Sequence, residues 1–172
     1  MTDLALLILR VVTGGLLAGH GAQKLFGLFG GPGLDKTADQ MEQLGMRPGT
    51  LWASLAGLSE FVGGLLTVLG LGGPIGTILT GTSMKMATFK AHAGKPIWAS
   101  AGGAELPMVN STVGTALGLT GPGRYSLDRA FKIKVPLWVS GLIAVGAGAV
   151  MVVGLLMEPD AQDEPAVVAE AA

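Results

Sequence analysis

Trp52 to Leu71 reads WASLAGLSEFVGGLLTVLGL, an apolar run with one ionisable side chain, Glu60, near its middle. As a helix it measures about 30 Å, enough to cross the hydrocarbon of a bilayer. A carboxylate at that depth costs about 2.5–3.5 kcal/mol on insertion scales, so Glu60 has to face protein and a compensating charge. At ~100° per residue, Ala53, Ala56, Gly57, Gly63, Gly64 and Thr67 fall within about 60° of it. Those small side chains leave a groove that admits a second helix closely. The rest of the chain should supply that helix and the cation.

Composition agrees with a membrane bundle. Of 172 residues, 49% are hydrophobic and 13% charged, against roughly 25% charged in soluble domains. Mean hydropathy is +0.57, and the 29 glycines suit helices packed closely in lipid. The net charge of −1, with no basic stripe beyond one short loop, argues against nucleic acid as a partner. With no cysteine, thiolate nucleophiles, Fe–S clusters and Cys-type zinc sites are excluded. The two histidines lie on different segments without i,i+4 spacing, so no metal site is expected. The first apolar segment has neither a basic n-region nor an A-x-A site, and it reads as a retained helix rather than a cleaved signal peptide.

Five apolar segments follow one another. The first covers residues 4–19 and, if it continues to Leu25, carries Arg10, Thr13, Leu17, His20 and Lys24 on one face. Gly15 and Gly19 form a GxxxG pair beside that face. Residues 26–49 are a polar loop whose second half predicts a short interfacial helix, capped by Asp35, striped by Leu34, Ala38, Met41 and Leu44, and ended by Gly45. The second segment holds Glu60. The turn from Gly70 to Pro74 is tight and uncharged, so the third segment, residues 74–89 with Lys85, forms an antiparallel hairpin with the second. The fourth, residues 105–119, is short and contains Gly114 and Gly118. The fifth, residues 136–157, is apolar apart from Ser140.

Charges in lipid must pair or reach water. Arg10, Glu60, Lys85 and Glu105 lie within or at the ends of four segments. Glu60 and Lys85 stand about 11 and 12 residues from the turn between them, at nearly equal depth. Glu60–Lys85 is therefore the expected pair, with Arg10 as the competitor. His20, Lys24 and His92 are placed at the membrane boundary, where snorkelling is the plain alternative to a functional role.

The motifs His20-Gly-Ala-Gln-Lys24-Leu-Phe-Gly27, Leu44-Gly-Met-Arg-Pro48, Leu55 through Gly64, Met84 through His92, Gly102-Gly-Ala-Glu105 and Gly121 through Asp128 occur in an order and spacing that resembles the DoxX family of bacterial membrane proteins. The resemblance covers about residues 4–130. It implies an all-α integral membrane fold: a four-helix transmembrane bundle in residues 1–130. Beyond it, residues 131–157 are expected to add a fifth transmembrane helix, and residues 158–172 an acidic disordered tail. The resemblance also implies a multi-pass protein of the bacterial inner membrane. Some members are named as subunits of thiosulfate:quinone oxidoreductase, and mycobacterial ones are linked to a membrane oxidoreductase complex.

The expected function is thus a membrane subunit of a redox complex that binds a quinone. His20, Lys24, Glu60, Lys85, His92 and Glu105 are the candidate binding residues, and Arg10, Arg124 and Asp128 a structural polar network. A quinone needs hydrogen-bond donors at its carbonyls and a proton route. No redox centre is encoded, so electrons would come from a soluble oxidoreductase partner. Two alternatives remain: a non-catalytic scaffold recruiting such partners to the bilayer, and a small transporter using Glu60 as an intramembrane proton site.

Overall fold

Two helices approach so closely that side chains are excluded between them. Helix α1 (Thr2–Phe26) and α3 (Gly49–Leu69) run antiparallel, with Gly14 against Gly64 and Val68, and Gly21 against Gly57 and Phe61. A Cβ on Gly64 would stand 2.6 Å from the Gly14 carbonyl oxygen, and one on Gly21 would stand 2.6 Å from that of Gly57. Of the small residues expected around Glu60, Ala53, Gly57, Gly63, Gly64 and Thr67 are buried, Gly57 and Gly64 against α1 and Gly63 and Thr67 against the helix that follows α3. The glycines that α1 contributes are different from those its GxxxG pair suggested. At Gly15 and Gly19 a methyl group would meet nothing within 4 Å. Gly21→Ala is accordingly expected to lower stability by about 1–3 kcal/mol through overpacking, whereas Gly15→Ala leaves it unchanged or raised. Thermal unfolding of the two variants in detergent reads the difference.

The computed structural model describes residues 1–159, and it is helical with no strand among them. A short helix α2 (Gly33–Gln43) follows α1 through a 3-10 turn. Of its expected stripe Ala38 is buried and Leu34, Met41 and Leu44 are half-buried, and Thr37 is buried beside them. Asp35 stands in the first turn, where a negative charge complements the helix dipole, but its side chain makes no capping hydrogen bond. Gly45 takes a left-handed φ of 79° and ends this stretch.

Helix α4 (Ile75–Met86) continues through a π-turn, Ala87–Ala91. It packs on α3 at Gly63 and Gly76. Helix α5 (Glu105–Thr120) crosses α4 with Gly118 beside Thr77, so the second GxxxG pair does lie at a helix contact. After the one-turn α6 (Leu127–Ala130), α7 (Leu137–Leu156) runs along α4, with Val135 near Gly73 at one end and Gly154 against Met86 and Trp52 at the other. Five helices therefore occupy the five expected segments. Three of them, α1, α3 and α7, are long and apolar enough to cross a membrane. Part of the acidic tail expected over residues 158–172 falls, from residue 160 on, outside the described residues.

Arg10 and Asp128 each hold backbone near the end of α3 and the turn after it. Arg10 is 3% exposed. Its guanidinium donates to the carbonyls of Thr67 at 3.1 Å, Val68 at 3.1 Å and Tyr125 at 2.8 Å, and also to that of Pro122. Two of these are carbonyls of the last turn of α3, where the regular i to i−4 ladder runs out. Buried Asp128 accepts from the backbone N–H groups of Gly72 at 2.9 Å and Gly73 at 2.6 Å. Both glycines have positive φ, which that tight turn requires. Arg124 joins through its backbone alone, its N–H donating to Asp3 at 2.8 Å.

Candidate functional site

Glu60 is fully buried, and its partner is Lys24. This corrects the pairing with Lys85. The register of α1 on α3 puts Lys24 about one turn beyond Glu60, and helical side chains lean toward their own N-termini. In antiparallel helices those leans converge, so the ammonium reaches back and the carboxylate reaches up. The same Glu60 oxygen accepts from Ser83 at 2.8 Å. Ser83 and Lys85 are two residues apart on α4, about 200° around the helix. With Ser83 facing Glu60, Lys85 must face away. Lys85 lines a separate cavity of about 400 Å³ with Thr77, Thr82 and Thr115, bounded by α4, α5 and α7. Arg10, the competing cation, is committed to carbonyls at the far end of α3.

The other Glu60 oxygen, Oε2, is buried without a hydrogen-bond partner, as is Trp52 Nε1. Both residues line one cavity of about 290 Å³ beneath α2, with α3, α4 and α7 as walls. Its surface is mainly apolar, contributed by Met41, Leu44, Met46, Leu55, Met86 and Met151. Lys24 and Ser83 contribute to the polar end, and Lys90 and His92 also line the cavity. A buried donor and a buried carboxylate oxygen left open on the lining of one cavity each carry a desolvation penalty of about 1–3 kcal/mol or more. Trp52 is only 7% exposed, so bulk water does not relieve it. The arrangement can hold a molecule that presents one acceptor and one donor within an apolar body.

The remaining candidates divide. His92 lines the cavity, and its Nδ1 contacts the Gly102 carbonyl at 2.7 Å. Glu105 accepts from the Ala99 N–H at 2.9 Å, fastening the 99–101 turn to the start of α5, and does not line the cavity. His20 is exposed and pairs with Gln23 at 3.0 Å; it points away from the site. Among the described residues no group of three His, Cys, Asp or Glu side chains could hold a metal ion. Trp52 and Ser83 were not singled out from the sequence. The signal for Trp52 was available, since it lies about 80° from Glu60 around α3 and two turns away.

A helical bundle with three helices long and apolar enough to cross a membrane, and a buried carboxylate paired between two of them, has the make-up of a membrane protein. The DoxX family model matches residues 5–93, which takes in α1, α3, the Lys24–Glu60 pair and His92. The chain belongs to the DoxX family, a membrane-associated family. Comparison with curated proteins and with solved structures returns no match.

Proposed function

We propose that this protein is a multi-pass subunit of a redox system in the bacterial plasma membrane, and that it holds a quinone head group in the cavity beside Glu60. In this reading α4 and α5 traverse the bilayer together with α1, α3 and α7. The observation that carries the proposal is the pair of open polar atoms, Trp52 Nε1 and Glu60 Oε2, in an otherwise apolar cavity. The indole N–H offers a donor to a quinone oxygen. The carboxylate oxygen accepts from a hydroxyl, which only the reduced form of such a molecule carries. His20, expected at the head group, is replaced in this role by Trp52. Electrons come from a partner protein, since the chain encodes no redox centre. The transporter reading has less support, because Lys24 already compensates the intramembrane carboxylate.

Titration of the purified full-length protein in detergent with a short-chain quinol, followed by quenching of tryptophan fluorescence, tests this. Trp52→Phe and Glu60→Gln should each weaken binding about tenfold, the worth of one hydrogen bond involving a charged or buried group. His20→Ala should leave it unchanged. Absence of binding, or equal affinity in all three variants, removes the proposal.

A further inference from the structure

At the opposite end of the bundle from the Glu60 cavity, the start of α1, the α3–α4 turn and the 122–135 segment line a third, open cavity of about 1,110 Å³. Arg124, Arg129, Lys132 and Lys134 line it. All four are exposed, and none makes an ion pair among the described residues. The facing acids are Asp3 and Asp128. Asp3 accepts from the Arg124 N–H, and both Asp128 oxygens are occupied by the Gly72 and Gly73 N–H groups. Four cations thus face two carboxylates already engaged by backbone, and the cavity is left with a net positive charge.

Its position fixes the kind of anion. The cavity lies where α1 begins, α3 ends and α7 begins, which is the level of a membrane–water interface for three helices of crossing length. Tyr125 and Phe131, next in sequence to lining residues, and Trp138 at the start of α7 are 55%, 68% and 68% exposed, as are the aromatic residues that collect at headgroup depth. Trp138, Leu142 and Val145 share one face at the start of α7 and are 68%, 64% and 72% exposed, an apolar surface for acyl chains to lie against. A soluble anion would use the cations and ignore this surface. A lipid uses both.

We propose that this cavity binds the headgroup of an anionic phospholipid, with the phosphate among Arg124, Arg129, Lys132 and Lys134 and the acyl chains along the first turns of α7. Basic residues at a membrane surface attract anionic lipid by about fivefold each. The site does not depend on the quinone reading, and it lies at the other end of the bundle.

Native mass spectrometry of the full chain, released from micelles containing equal phosphatidylglycerol and phosphatidylcholine, tests the proposal. The wild type should retain phosphatidylglycerol at least tenfold over phosphatidylcholine. Replacing all four cations by glutamine should bring the ratio near one. Lys36→Gln with Lys95→Gln, at the opposite end, should leave the preference intact. The fourfold variant touches neither Arg10 nor Asp128, and an unchanged unfolding midpoint in neutral detergent verifies that it is folded. Equal retention of the two lipids by the wild type, or an unaltered preference in the fourfold variant, overturns the proposal. Binding of inorganic phosphate without any preference between the lipids overturns it in favour of a soluble anion.

Discussion

Lys24→Met is expected to cost about 3–5 kcal/mol of bundle stability, because it leaves a buried carboxylate without its countercharge. Glu60 has no exposed surface. Once the ammonium is gone, Ser83 is the one donor left to it among the described residues. The two halves of the pair are not equivalent. The Lys24 side chain is 28% exposed and can turn its charge toward water, so Glu60→Gln should cost less than Lys24→Met. The double variant Lys24→Met/Glu60→Gln should recover much of the loss, since no charge then remains buried. Lys85→Met supplies the contrast and should be near neutral, within about 0.5 kcal/mol. Reversible unfolding in detergent measures all four. A loss below about 1 kcal/mol in Lys24→Met, or a matching loss in Lys85→Met, would show that Glu60 is compensated in some other way.

Arg10→Met should be comparably damaging, at about 3–5 kcal/mol, although no ion pair is broken. The guanidinium satisfies carbonyls of Thr67, Val68, Pro122 and Tyr125. An orphaned buried carbonyl costs about 1–3 kcal/mol. The total falls short of four full penalties for two reasons. Thr67 also accepts from the Gly70 N–H at 3.2 Å, and water reaches the turn beside Tyr125, which is 55% exposed. Arg10→Lys is the more informative substitution. It keeps the charge and loses the planar fork of donors, so it should still forfeit more than half of the stabilisation. The 121–126 turn, tied to α3 through this side chain, should become the first site of proteolytic cutting in both variants. If Arg10→Lys is as stable as the wild type, charge rather than hydrogen-bond geometry holds this end of the bundle.

The part of this structure legible in the sequence was set by one-dimensional quantities. Segment positions follow from runs of apolar residues, and α5 and α7 lie within a residue or two of the expected bounds at one or both ends. The position of Glu60 along α3 was legible too, because helical rise converts residue count into distance. Azimuth was not. Ser83 and Lys85 are indistinguishable by depth, and only the packing of α4 on α3 selects the first. Gly15 and Gly19 satisfy the GxxxG pattern, yet the contact with α3 uses Gly14 and Gly21, which are separated by seven residues and belong to no such motif. Lys24 looked interfacial because it follows the apolar run. The direction in which a helical side chain leans carries it inward, and that correction needs the partner helix. Arg10 reads in the sequence as a competitor for Glu60 and a member of a structural polar network. Its actual partners are backbone carbonyls at a helix end, which no residue type announces.

The two attachments of α1 to α3 have a mechanical meaning. Arg10 holds one end of the pair and Lys24 the other, about 21 Å apart along the same helix. Gliding of one helix over its neighbour by an ångström or two is a common way for proteins to change shape. Here such a glide would unseat the guanidinium from its carbonyls and draw the ammonium off Glu60 in the same movement, while the glycine contacts between them leave no slack for a rotation to compensate. The α1–α3 pair is therefore a rigid spine, doubly pinned against shear. Any opening of the Glu60 cavity falls to α7, which packs mainly along α4 and touches this spine at Gly154 against Trp52.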